Sequence, residues 1–269
     1  MDFIESQAAA YPVLAEAYNE FGSLYSKKLW HQLSVKLTAF LADPASQQGD
    51  NWAQLYSGFI AHFEGRLNSV SLASIVGTIA LSLSDAKASL TLLSKVLEGR
   101  DRFGAEAALC LDLDSIVAHT RLGDVVTAKR ALDGAKDTLK QVQSSDRAVF
   151  SKYYRAQAEY RKLAGPPQEF YKAGLMFLAY TPLDTLAPAE AAALARDLAL
   201  ASITGEDIFN FGEVLATPVL GALKGGADEW LSELVQALHR GSIADFNAVV
   251  DAHRGAYFAQ YVGPPTGNS

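Results

Sequence analysis

The 269 residues are 49% hydrophobic and 20% charged, the balance of an ordinary globular chain able to bury a sizeable core as one large domain or two modest ones. A formal net charge of -7 argues against a nucleic-acid surface, which clusters Lys and Arg on one face; doublets such as Lys27-Lys28 and Arg161-Lys162 read as solvated helix edges. The single Cys110 permits no disulfide and no Cys-based zinc site within the chain, and the acids of MDFIESQAAA do not suit a signal peptide, so cytosol or nucleus is expected.

In chain order, helical spacing dominates and alternating strand patterns are absent. A first helix is expected over Tyr11 to Phe21 with Pro12 in its opening turn, and a second over Lys27 to Leu41, ended by Asp43-Pro44. A third runs from about Asn51 to Leu67, carrying Leu55, Phe59, Ile60 and Phe63 at three-four spacing. The serine-studded run Val70 to Leu83 falls short of the ~20 apolar residues of a membrane span and reads as a buried helix. Helices after Ser84 and from about Phe103 to Leu122 follow.

From there the pattern repeats. Gly123, Gly165, Gly205 and Gly241 lie 42, 40 and 36 residues apart, each between two helical segments, with Ser84-Asp85 as a weaker earlier member. A hairpin of two amphipathic helices cannot bury its apolar face alone, so successive hairpins should stack on one continuous core. The expected fold is therefore all-α, a right-handed α-solenoid of helical hairpins, in which Leu122-Gly123-Asp124 with Ala128 is similar to a tetratricopeptide inner turn.

The third repeat holds the most distinctive stretch, GEDIFNFGEVLATPVLGALKG from Gly205 to Gly225. Glu206 and Asp207 suit a first helical turn, Ile208, Phe211, Gly212 and Leu215 share a face, and Thr217 before Pro218 reads as the N-cap of a second short helix. If the Phe211 ring is buried, Phe211→Ala should cost roughly 3–5 kcal/mol.

Residues able to do chemistry are sparse. None of the five histidines pairs with another at i, i+4, and a through-space metal site drawing on His31, His62 and Asp112 has no spacing behind it. Asp112 and Asp114, two apart on a helix, point in different directions and read as an exposed edge or capping pair rather than a magnesium site. Cys110 in AALCLDL should be an inert core filler. Tyr153, Tyr154, Tyr160 and Tyr171 read as helix packing rather than a binding groove, and no phosphate-binding, dinucleotide-binding or nucleophile-elbow motif occurs. No catalytic residue, metal or cofactor is expected.

Four segments carry a resemblance: LYSKKLWHQLSVKL at 24–37, DPASQQGDNWAQLYSGFIAHFEGRLN at 43–68, SKYYRAQAEY with EFYKAGLMFLAY at 151–180, and GEDIFNFGEVLATPVLGAL at 205–223. Together they resemble the PCI-domain subunits of the 26S proteasome regulatory-particle lid. The resemblance implies a helical-repeat arm over 1–200 and the helical part of a PCI module over 201–255, with Gly205, Phe209, Phe211, Gly212 and Pro218 as a structural signature and no catalytic role. It also implies a hetero-oligomeric, non-catalytic scaffold for ubiquitin-dependent degradation in cytoplasm and nucleus. The partners implied are other lid subunits, a neighbouring PCI subunit among them, near the ubiquitin receptor, with no nucleic acid or membrane. Scaffolds of the signalosome or of a translation-initiation factor share the family and form the alternative, with a helical ligand-binding protein or enzyme further behind. After Val250 the sequence DAHRGAYFAQYVGPPTGNS shows no winged-helix pattern, so that module is expected to be absent and 256–269 to form a disordered tail.

Overall fold

The computed structural model describes residues 2–142 and 146–261, and every regular element among them is helical. The helices pack in a repeat-like array of the α-solenoid class, in two compact units, one up to Ala164 and one from Gly165. No helix among the described residues is long and apolar enough to cross a membrane.

The first unit holds α1 (Asp2–Ala10), α2 (Ala15–Ser26), α3 (Trp30–Ala42), α4 (Asn51–Gly58), α5 (Ser69–Ser82), α6 (Ala86–Leu97), α7 (Ala105–Arg121), α8 (Val125–Val142) and α9 (Arg147–Ala164). Helix α1 has no counterpart in the sequence reading, because DFIESQAAA shows little periodicity; it docks through Ile4 and through Phe3, whose ring lies so near Gly58 that a Cβ there would sit 2.5 Å from it. The expected third helix does not run to Leu67. It stops at Gly58, and Phe59 (φ −134°, ψ −61°) leads into 3-10 turns at Ile60–His62 and Glu64–Arg66. The break seats Phe59 and Phe63 on Tyr25, with centroids 5.4 Å away in each case, and stacks Phe63 on Trp30 at 5.7 Å. Packing of this aromatic cluster overrides a helical pattern that three-four spacing alone cannot distinguish from a broken one.

Helix α7 is the axis of this unit, packing on α5, α6, α8 and α9. Its buried residues, Ala107 to Leu111, Leu113, Asp114, Ile116 to Ala118 and Thr120, cover all but a narrow polar stripe of Asp112, Ser115 and His119, as on a helix largely enclosed by others. Asp114, expected at an exposed edge, is instead 3% exposed. Lys152 of α9 donates to both of its carboxylate oxygens, at 2.8 and 2.6 Å. The pair occupies the space left by Gly77 of α5, where a Cβ would collide with the carboxylate and lie 3.1 Å from Lys152 Nζ. Asp112 points elsewhere and pairs bidentately with Arg100 at 3.0 and 2.6 Å.

The second unit holds α10 (Pro167–Tyr180), α11 (Pro188–Thr204), α12 (Phe211–Leu215), a 3-10 helix at Pro218–Leu223, α13 (Glu229–Arg240), α14 (Ile243–Ala252) and α15 (Arg254–Tyr261). Its centre is α13, whose Trp230, Leu231, Leu234, Val235 and Ala237 are buried against α11, α12 and the 3-10 helix. Residues 256–261, expected in the tail, continue α15, because Tyr257 packs edge-on against Trp230 and Phe246. The rest of that expected tail, 262–269, lies outside the described residues.

Removing one partner of the α7–α9 pair strands a charge inside a helix junction. Asp114→Ala is expected to destabilise the chain by about 3 kcal/mol, at the lower end of the range for broken buried pairs because the Lys152 side chain is 22% exposed. The combined Asp114→Leu, Lys152→Met variant is expected to recover most of that loss. Urea unfolding followed by circular dichroism compares the two; a double variant as unstable as the single one contradicts this account.

Candidate interaction surface

The four repeat glycines do not share one geometry. At Gly123 (φ +77°) the N–H of Asp124 donates to His119 O at 3.0 Å and that of Gly123 to Thr120 O at 2.9 Å; at Gly241 (φ +67°), Ser242 and Gly241 donate to Ala237 O and Leu238 O at 3.1 and 3.0 Å. Both are Schellman turns, in which only a residue without Cβ adopts the left-handed C′ position freely. Each is followed by a capping side chain: Asp124 accepts from Thr127 N at 3.1 Å and Ser242 from Asp245 N at 3.2 Å. Hydrogen bonds from Thr127 hold the Asp124 carboxyl below the usual carboxylate range. Gly165 is left-handed too (φ +64°), ahead of two prolines.

Gly205 is the exception. It is extended (φ −74°, ψ 134°), and glycine is required there by crowding: a Cβ would lie 2.5 Å from Ile208 Cδ1 and 2.7 Å from Ala201 O. The left-handed position falls two residues later, at Asp207 (φ +62°). The expected helix from Glu206 therefore does not form; residues 206–210 make a turn and an open segment, and α12 spans only Phe211–Leu215. Ile208 and Phe211 are half-buried, Val214 is fully buried, and Phe209 stands 82% exposed between them. Gly212 lets α12 approach α13, since a Cβ there would sit 3.2 Å from His239 Cε1. Pro218 opens the 3-10 helix as expected, but Thr217 does not cap it: its hydroxyl turns back to donate to Glu213 O at 3.0 Å. Burial and the neighbouring Glu213 carboxylate push the Tyr171 hydroxyl up to about 12.

Two concavities accompany these elements, both unforeseen from sequence. In the first unit a groove of about 710 Å³ lies between α6, α7 and α8, with Ala131, Gly134 and Ala135 on one wall and the Arg100–Asp112 pair and His119 on others. In the second unit a pocket of about 160 Å³ is lined by Leu200, Ile203, Trp230, Leu234 and Tyr257. EWLSELVQALHR carries a strong helical stripe that announces α13, but no local signal says that α11 and α15 leave space beside Trp230.

The residues weighed for chemistry are dispersed. His31 and His62 are exposed, Asp112 is occupied by Arg100, and no three His, Cys, Asp or Glu side chains gather to hold a metal among the described residues. Tyr153, Tyr160 and Tyr171 are buried, with Tyr154 edge-on to Tyr153 at 5.2 Å, so these rings are helix packing. Cys110 is buried, and burial pushes its thiol up to about 11. The arrangement can present shape, charge and exposed apolar side chains to another macromolecule, and it assembles no reactive centre from the candidates above.

The comparisons agree with that character. A family model described as PSD13 N-terminal repeats matches residues 17–235. The chain is 35% identical over 265 residues to the 26S proteasome non-ATPase regulatory subunit 13 homolog B of Arabidopsis thaliana, covering 97% of this chain and 68% of that protein. It is 30% identical to the 26S proteasome non-ATPase regulatory subunit 13 of Dictyostelium discoideum, over 94% of this chain and 66% of that one. With the 26S proteasome regulatory subunit RPN9 of Saccharomyces cerevisiae it shares 29% identity over 89% of this chain and 64% of that one. The chain thus spans about two thirds of the length of these relatives.

Two outcomes are expected. Phe211 is only half-buried, so Phe211→Ala should lower stability by about 1–2 kcal/mol in chemical denaturation, less than the range for a fully buried ring. Cys110 has a raised folded pKa, so its contribution is full below about 9, the thiol's ordinary value, and is lost as pH rises through about 11. Cys110→Ala should lose less stability over that interval than the parent chain, measured as the urea midpoint against pH.

Proposed function

The chain belongs to the family of the 26S proteasome non-ATPase regulatory subunit 13, and on that premise we propose that it is a non-catalytic structural subunit of the lid of the proteasome regulatory particle. It supports assembly of the machinery for ubiquitin-dependent degradation. The observation that carries this reading is a match to subunit 13 over nearly the whole chain, at 35% identity across 97% of it.

The physical character of the fold supports it. Helical repeats bury their apolar faces on neighbouring helices and leave extended outer surfaces for protein contacts. In this reading residues 1–200 form the helical-repeat arm and 201–255 the helical part of a PCI module, with Gly205, Phe209, Phe211, Gly212 and Pro218 as its structural signature. The partners are other lid subunits, a neighbouring PCI subunit among them, close to the ubiquitin receptor, in cytoplasm and nucleus. The relatives are named for the proteasome, which places the signalosome and translation-initiation scaffolds second.

Purified chain mixed with a set of recombinant lid subunits lacking their own subunit 13 is expected to enter the complex at one copy, seen as the added mass in native mass spectrometry. Recovery of only free chain and unaltered lid subcomplex overturns the proposal.

A further inference from the structure

The loop from Gly205 to Asn210, with the first turn of α12 after it, combines exposure, charge and conformation. Phe209 is 82% exposed while Ile208 and Phe211 on either side are half-buried. The alternation is set by the backbone: Gly205 is held extended where no Cβ fits, and Asp207 takes the left-handed conformation at φ +62°. The aromatic ring is thus held out on a short, shaped segment between α11 and α12.

Its surroundings are acidic. Glu206, Asp207 and Glu213 are all exposed, and the sequence contains no Lys or Arg between Arg196 and Lys224. The bias extends to the whole unit. Residues 1–164 carry 18 Lys and Arg against 18 Asp and Glu, whereas residues 165–269 carry 5 against 12, so the entire net charge of -7 falls in the second unit. Three of those five cations are engaged locally, Lys172 with Glu169, Arg196 with Asp228 and Arg240 with Asp245.

We propose that this loop is a docking element, whose Phe209 ring seats in an apolar socket ringed by Lys and Arg on a partner protein. Charge complementarity selects that occupant: exposed acids repel nucleic acid and anionic membranes, and they lower the encounter rate with acidic proteins while raising it with basic ones. An aromatic anchor entering a desolvated pocket inside a charged rim has the anatomy of an interface hot spot. The identity of the partner rests on the reading of the chain as a lid subunit, and the loop's role is tested within it.

The probe is the recombinant lid subcomplex lacking subunit 13, titrated with the full chain, with Phe209→Ala and with Glu206→Lys. Phe209→Ala is expected to weaken incorporation roughly tenfold or more, with an unchanged melting temperature because the ring touches little of its own chain. Glu206→Lys is expected to weaken it too, and to flatten its dependence on salt. A photoreactive phenylalanine at position 209 should cross-link to a surface rich in Lys and Arg. Parent and Phe209→Ala chains that incorporate equally overturn the loop's role and leave the lid reading standing, whereas a parent chain that never incorporates overturns both. A lowered melting temperature in Phe209→Ala makes the ring structural and also overturns the proposal, as does a cross-link to an acidic surface.

Discussion

The ion pair between Asp114 and Lys152, set into the gap left by Gly77, is the constraint on which the first unit depends. Three helices meet there, and each contributes a residue that makes sense only with the other two present. A buried pair is weak evidence of stability, since desolvating two charges offsets most of their attraction. Its consequence is positional: the carboxylate fits only opposite a residue without Cβ, and the ammonium only where both oxygens face it. Sliding α5 or α9 by one turn along α7 would set a side chain against the carboxylate or leave both charges unpaired. Helix α7 is buried over most of its circumference, and the pair ties its register to those of α5 and α9.

How much of this was legible in the sequence depends on the range of the interaction concerned. Helix type followed from three-four spacing, and the turns at Gly123 and Gly241 followed from local chemistry, since a glycine and a capping Asp or Ser suffice to build a Schellman turn. Asp112 and Asp114 could not be told apart. Both sit in LDLD, and only Lys152, 38 residues away, decides which one is inside. The break after Gly58 escaped notice for the same reason, because Phe59 and Phe63 keep helical spacing while their partners Tyr25 and Trp30 come from earlier helices.

Gly205 shows a different kind of failure. Its spacing from Gly165 and Gly241 marked it as one more turn glycine between helices, yet the residue is extended and confined by Ala201 and Ile208. Periodicity records that a small residue recurs and is silent on whether conformation or crowding demands it. Here the turn passes to Asp207, and with it the expected helix dissolves into an open loop. Of the signature residues, Gly205, Gly212 and Pro218 shape the backbone, while the two phenylalanines divide, one half-buried and one exposed.

That division is what joins the fold to its proposed work. Leaving a phenylalanine in water forgoes about 2 kcal/mol of burial, and a left-handed aspartate two residues earlier costs about 1 kcal/mol more. For a chain stable by only some 5–15 kcal/mol, two such departures within three residues are substantial. The same segment lies in the unit that carries all of the net charge, while the first unit, built around its internal ion pair, is electrically balanced. Departures from local sequence rules concentrate where function overrides stability. In this chain two of them, at Asp207 and Phe209, fall on one acidic loop holding an aromatic ring outward, a surface suited to an interface with another protein.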